Sequence, residues 1–423
     1  MLKKSNAWLW IPTLYFASGL PYHAITSISD IMYKDMGIGN AQIAMYTSLL
    51  LIPWTIKPLW SPIVEMISTR RKWTLISQLL LAICFAAIAL VIPSKHFLAL
   101  TLIAFFIGAF VSSTHDIALD GFYILALPQE KQSFFSGIRN TFYRIATVFS
   151  SGVLVMLANK LGHHFGNDTI AWSATFATTG IIMVALWLYH TKAMPHPEND
   201  ISRSTKSIKD VFRNYGDIIK TYFKKPGIVQ AILFLLLFRF PEAQLGKMSK
   251  LFLMDPTSSG GLALDKGDIG FIYGVVGVIG LIIGGIVGGI CISRKGLKYW
   301  LWPMVIAISL PDAVYIYMSM LQPDNLYIVG SCIFIEQLGY GFGFTAYTLY
   351  MIYFAQGKYP TAHFAISTAF MSLGMMLPGM FAGQLQEKMG YENFFIWVTA
   401  CTVITFVVSA LIKIDPNFGK RQK

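Results

Sequence analysis

Charge is what this chain has least of. Asp, Glu, Lys and Arg together make up 13% of its 423 residues, and only 21 side chains are acidic. A water-soluble domain carries about 25% charged residues, so that class is excluded, and the 55% hydrophobic content points to a membrane protein. Cysteine is also scarce, with four residues. Cys84, Cys291, Cys332 and Cys401 each lie in an apolar stretch with no C-x-x-C spacing, which excludes a disulfide framework and a zinc site. Also missing are a nucleophile with a base and an orienting partner, and a carboxylate–metal cluster. An intramembrane enzyme needs one of these, so no enzyme, metal or cofactor is expected. The alternating pattern of a membrane β-barrel is absent as well.

What is present is a series of apolar runs, at roughly 7–32, 40–66, 73–93, 97–124, 133–158, 170–191, 226–252, 267–292, 298–320, 325–355, 360–387 and 391–413. About 20 apolar residues cross a bilayer as a helix, so the expected fold is an all-α polytopic membrane protein with twelve transmembrane helices. The first run exceeds the h-region of a signal peptide and lacks a cleavage site, so it is expected to stay as the first span. The net charge of +12 does not indicate nucleic acid. Its basic residues (Lys3/Lys4, Arg70-Arg71-Lys72, the 192–225 segment, Arg294/Lys295/Lys298, Lys420/Arg421/Lys423) occupy alternate ends of the spans. That is the positive-inside pattern, and it sets both termini and the central loop in the cytoplasm. The expected partners are membrane lipid and a small solute, for a chain working as a monomer.

The long polar loop divides the chain into 1–191, a linker over 192–225, and 226–423. Within the linker, Ser207-Ile-Lys-Asp-Val-Phe-Arg-Asn-Tyr has the pattern of a short surface helix. After the second span stands Trp60-Ser61-Pro62-Ile63-Val64-Glu65, then Arg70-Arg71-Lys72; after the eighth, Gly284-Gly285, Gly288-Gly289 and Arg294-Lys295. Six spans, a basic loop and six spans resemble the major facilitator superfamily, whose two pseudo-symmetric halves rock about a midplane site. Both segments sit where that superfamily has its Gly-x-x-x-Asp-x-x-x-Arg-Arg/Lys motif. Ser61 stands for the glycine, Glu65 for the aspartate, and the second copy has no acid. The resemblance implies gating roles for Glu65, Arg70 and Arg71.

A narrower resemblance rests on Ser18-Gly19-Leu20-Pro21, Lys57-Pro58-Leu59-Trp60-Ser61-Pro62, Thr114-His115-Asp116-Ile117-Ala118-Leu119-Asp120 with Leu127-Pro128, and Gly137 with Tyr143-Arg144. In this order and in these spans, the motifs resemble the AmpG family of permeases and, more distantly, the acetyl-coenzyme A transporter family. His115 stands where the family commonly has Gln. The AmpG resemblance implies proton-driven import of an anhydro-muropeptide from periplasm to cytoplasm across the inner membrane of a Gram-negative bacterium, for cell-wall recycling. Acetyl-coenzyme A or another bulky anion is the alternative cargo, and a non-transporting membrane sensor is the alternative class.

The residues also speak without the family. A charge at bilayer depth costs roughly 3 kcal/mol or more and therefore faces a cavity, a partner or a proton path. Asp116 and Asp120 are four apart and share a helix face. Two carboxylates in such proximity favour proton exchange; the alternative is ion pairing with Lys57, Arg139 or Arg144. His115 either joins a relay or satisfies a local hydrogen bond. Arg139 and Arg144, five apart, point to different sides of the fifth span: Arg144 toward an anionic substrate, Arg139 toward a gate. Lys57, beside Pro58, faces a cavity or pairs with an aspartate. Tyr22 and His23, after Pro21, break the first span where a sugar ring would stack. In the seventh span Arg239, Glu242, Lys247 and Lys250 surround Pro241, so that span is expected to break or line the pathway. Arg239 and Glu242 are substrate candidates or a local ion pair. Glu336 is the second-half proton site, with Gln337 beside it as a substrate ligand and Gly339, Gly341 and Gly343 permitting close helix approach. Asp30, Asp268 and Asp312 read as capping or interfacial residues near span ends.

Overall fold

A computed structural model of the chain describes residues 6–127, 129–198, 200 and 208–420, apart from the side chains of 62, 63, 65, 66, 129–134, 136, 137, 140, 208–214 and 361. Among the described residues every regular element is helical, and eight helices are long and apolar enough to cross a membrane. The shorter or interrupted helices complete the expected spans. The first consists of Ile11–His23, a π-helical stretch Ala24–Ile28 and Ser29–Asp35. Pro21 has no N–H to continue the ladder, and the wider turn follows directly after it. The second consists of Asn40–Leu49 and Ile52–Ile67. Arg70–Val91, Phe97–Ala126 and Asp168–Ala193 are the third, fourth and sixth. The fifth is Gln129–Val148, a π-helical stretch Phe149–Leu154 and Val155–Phe165.

In the second half, proline stands at the breaks of the seventh and ninth spans. The seventh span is interrupted between Ile228–Leu237 and Phe240–Met254, with Arg239 at the junction and Pro241 in the first turn of the new helix. The expected break is therefore present. The eighth runs through Lys266–Phe271, a π-helical Ile272–Gly277 and Val278–Lys295. In the ninth, Leu297–Ser309 gives way to a 3-10 turn, Leu310–Ala313, before Val314–Leu321. Leu326–Ala355 is the tenth. Pro360–Leu411 holds the last two spans, divided at Gly390, whose φ of 76° only glycine adopts without strain.

The chain forms two compact units: residues 1–36 with 56–214, and residues 37–55 with 215–423. In the first unit, Trp10, Ile11, Leu14, Phe122 and Met194 pack into one core, with Trp10 and Phe122 edge to face at 5.3 Å. Asp200 from the linker accepts hydrogen bonds from the backbone N–H groups of Arg70 and Arg71, both 2.9 Å, and so caps the third span from outside its own sequence. Arg71 in turn donates to the carbonyls of Thr191 (2.6 Å) and Met194 (3.4 Å) at the end of the sixth. One arginine thus ties two helix ends together.

The second unit has an aromatic core. Tyr222, Phe234, Phe238, Tyr347 and Tyr350 are buried together, and the Tyr347 hydroxyl donates to the carbonyl of Leu235 at 2.6 Å, where the broken seventh span leaves acceptors free. Linker helix Ile208–Phe223 is held to this unit through Asp217, which accepts from Tyr359 (3.0 Å) and Lys358 (3.3 Å). Those two bonds, Tyr359 first and Lys358 second, lower the Asp217 carboxyl below its ordinary range. A depressed carboxylate stabilises above its unfolded pKa, and the effect is lost as pH falls through the folded one. Asp217→Asn is accordingly expected to speed proteolytic nicking of the linker at neutral pH, and the difference from wild type should start to shrink as the pH falls below about 4. Limited proteolysis across a pH series reads this out.

Candidate functional site

In the first unit the acidic pair of the fourth span faces the first. Asp116 accepts a 2.6 Å hydrogen bond from Ser18, and Asp120 accepts one of 3.2 Å from Tyr15, one turn earlier on the same helix. The i, i+4 spacing of the acids thus meets an i, i+3 pair of hydroxyls. Arg139 of the fifth span approaches Asp120 at 3.6 Å, donates to the Tyr15 hydroxyl at 3.2 Å, and lies 5.1 Å from the ring centres of both Tyr15 and Tyr123. The arginine is held by two aromatic faces more than by the acid. Asp120's side chain is 54% exposed, and an exposed ion pair contributes about 1 kcal/mol or less. Locking the helices together is therefore not this pair's main contribution, and the carboxylate remains accessible at the protein surface.

Beside this face stand the aromatics of the first-span break. Tyr22, His23 and Tyr143 form a cluster with ring centres 5.2 to 6.4 Å apart, and His23 Nε2 is 2.7 Å from the Thr147 hydroxyl. Arg144, next to Tyr143, is half-buried. Lys57 is half-buried too and, among the described residues, makes no hydrogen bond or ion pair. The salt bridge to an aspartate that the sequence also allowed is not formed. Arg70 lies against Gly121, where an added Cβ would fall 2.6 Å from its Nε. The Glu65 side chain lies outside the described residues.

His115 points elsewhere. Fully buried, it bonds Gln78 Nε2 at 3.2 Å, and Gln78 Oε1 is 3.0 Å from Nδ1 of His190, whose Nε2 meets Thr13 at 2.9 Å. One residue around a helix is about 100° away from its neighbour. His115 consequently joins four helices through a polar chain rather than a relay with Asp116.

The second unit brings its charged residues to the break in the seventh span. Arg239 binds Glu242 through two contacts, 2.7 and 2.8 Å, donates to Tyr340 at 2.7 Å, and lies 4.9 Å over the Phe344 ring. Both partners are nearly inaccessible. Removing one member of such a buried pair leaves the other uncompensated, at a cost of about 3–5 kcal/mol. Glu336 is buried and, among the described residues, accepts hydrogen bonds only from Gln337, at 2.9 and 3.2 Å. The hydroxyls of Tyr273 and Tyr315 are bonded to each other and to Ser249 near it. Lys247 donates to Thr47 at 2.7 Å.

Three groups escape the sequence reading. Asn40 donates to Asp255 (2.8 Å) and Gln386 (2.9 Å), and Tyr391 donates to the same Asp255 oxygen (2.5 Å). This buried cluster seats helix Asn40–Leu49 in the second unit, and its members are hundreds of residues apart. Ser18 and Tyr15, the hydroxyl partners of the acids, look ordinary in an apolar run. Asp312 is not interfacial: it is only 3% exposed, on the 3-10 turn within the ninth span.

Comparison with known proteins agrees with this architecture. The Major Facilitator Superfamily model matches residues 13–383. The chain is 27% identical to "Putative transporter AmpG 4" of Rickettsia conorii, over 91% of each chain. It is 26% identical to the "Anhydromuropeptide permease" of Escherichia coli, over 92% of this chain and 76% of that one. The crystal structure of a D-xylose–proton symporter superimposes with a TM-score of 0.75 at 11% identity, covering 98% of this chain and 99% of that one.

Proposed function

The chain belongs to the Major Facilitator Superfamily, and on that premise we propose that it is a proton-coupled importer of anhydro-muropeptides or related cell-wall amino sugars. As a member of that family it is a multi-pass membrane transporter and not an enzyme. In the proposed reading it works in the inner membrane with both termini in the cytoplasm, carrying cargo from periplasm to cytoplasm by alternating access. The observation that carries the cargo is the similarity to the anhydromuropeptide permease along nearly the whole chain. The site chemistry supports it. Lys57, without a hydrogen-bond or ion-pair partner among the described residues, and half-buried Arg144 suit a sugar-peptide carboxylate, and the Tyr22, His23 and Tyr143 rings offer stacking faces for a sugar. The surface-accessible Asp120, with Asp116 one turn away, is a place for a proton that arrives and leaves. Arg70 and Arg71, tied to helix ends at the linker, fit the gating role. Protonation would bias the two access states, and cargo supplies the differential affinity that moves them.

The test is uptake of labelled GlcNAc-anhydroMurNAc, with and without peptide, into proteoliposomes under an inward proton gradient. Accumulation that collapses with a protonophore is expected, together with a loss of about tenfold or more in Lys57→Gln, the fold-change of about 1.4 kcal/mol. No uptake by folded protein would reject the cargo.

A further inference from the structure

The second unit contains a charge imbalance that the cargo reading does not use. Three shielded carboxylates, Glu242, Glu336 and Asp312, lie in this unit, and the turn that carries Asp312 packs on the tenth span beside Glu336: a Cβ on Gly339, one turn from Glu336, would fall 2.8 Å from Pro311 Cγ. A single guanidinium, Arg239, belongs to the group, and it is committed to Glu242 by two short contacts. Among the described residues, Glu336 has only the neutral amide of Gln337 as a hydrogen-bond donor. Asp312 has less: its Oδ2 is fully buried and, among the described residues, without any hydrogen-bond partner. The groups facing this region from the surrounding helices are Glu242 and Arg239 of the seventh span, Glu336 of the tenth, and the neutral Tyr273 and Tyr315 hydroxyls bonded to Ser249. Lys250 lies 5.6 Å from the Tyr273 ring centre and flanks the hydroxyl chain.

An ionised carboxylate without a hydrogen bond or counter-ion is among the most costly groups to bury. Two of them in one site repel as well, and a proton relieves both penalties at once. We infer that Asp312 and Glu336 form a two-carboxylate proton site in the second unit, holding at least one proton, separate from the Asp116/Asp120 face of the first unit. The 3-10 turn at Leu310–Ala313 places Asp312 there: Pro311 interrupts the helix, and the residue after it is carried inward instead of along the helix surface. The inference deepens the proton-coupled reading, on which it rests, and assigns the second unit a proton of its own.

The experiment is infrared difference spectroscopy of the purified full-length protein between acidic and alkaline pH, which needs no cargo. A protonated-carboxyl stretching band is expected in wild type, with loss or shift of that band in Asp312→Asn and in Glu336→Gln, and retention in Asp120→Asn. A band that is absent from wild type, or unchanged by Asp312→Asn, would overturn the pair. Should Asp312→Asn fail to fold, mass-spectrometric mapping of dicyclohexylcarbodiimide adducts on wild-type protein decides, because the reagent attacks protonated buried carboxyls. Modification of Asp312 or Glu336 that declines as pH rises supports the site, and its absence from both refutes it. A protein that gives the band but takes up no muropeptide would retain the proton site and lose only the cargo.

Discussion

Gly341→Ala is expected to remove most folded protein from the membrane fraction, although it adds a single methyl group. The tenth span is wedged between two neighbours by alternate glycines. A Cβ on Gly341 would fall 2.2 Å from the carbonyl oxygen of Leu281 in the eighth span, and one on Gly339 would fall 2.1 Å from that of Ala307 in the ninth. The eighth span answers in kind, since a Cβ on Gly284 would fall 2.1 Å from the Leu338 carbonyl. These obstacles are backbone atoms, so no rotamer change relieves them and whole helices must separate. Overpacking that side chains can partly absorb costs about 1–3 kcal/mol, and the loss here is expected at or above the top of that range. Gly330 on the same helix is the control: a Cβ there meets nothing within 4 Å, so Gly330→Ala should be tolerated. Thermal unfolding followed by fluorescence-detected size exclusion separates the two, and equal stability of both variants would refute the wedge. The same contacts show what Gly284 and Gly288 do. They seat the eighth span on the tenth, which accounts for these glycines in a motif copy that has no acid.

How much of this was legible beforehand depends on the range of the interaction. The spans were readable because twenty apolar residues have few other uses, and the breaks at Pro21 and Pro241 were readable because a missing N–H is a local fact. The facing of Asp116 and Asp120 followed from helix geometry alone. The same geometry, applied to the neighbouring residue, would have turned His115 about 100° away from the acids. Asp312 was misplaced because hydropathy locates a span but not a 3-10 turn within it. The Asn40, Asp255, Gln386 and Tyr391 cluster had no local signal at all. Its members are ordinary polar residues near span ends, and only tertiary packing brings them together. Asp200 was hidden for the same reason, as a cap supplied by a segment remote from the helix it serves.

Neutralising the acidic pair of the first unit should abolish concentrative transport while sparing the fold. Asparagine at 116 keeps an oxygen to accept from Ser18, and asparagine at 120 keeps one for Tyr15, so the hydrogen bonds at 2.6 and 3.2 Å need not be lost. Only the charge and the titrating proton are removed. With a titrating carboxylate removed from the proton path, proton-driven uptake is expected to fall by about tenfold or more for Asp116→Asn or Asp120→Asn, the fold-change of about 1.4 kcal/mol. Arg139 distinguishes coupling from structure. If the 3.6 Å contact of Arg139 with Asp120 were chiefly a brace, Asp120→Asn would leave an unpaired cation, and adding Arg139→Gln would restore function by removing it. If Asp120 carries the proton, the double variant still lacks that titrating group and stays inactive however well it folds. The geometry favours the second outcome, because the two tyrosine rings retain the guanidinium when the acid is gone. Uptake in the two single variants and the double, normalised to folded protein, makes the comparison, and recovery in the double would replace proton exchange with a structural role for the pair.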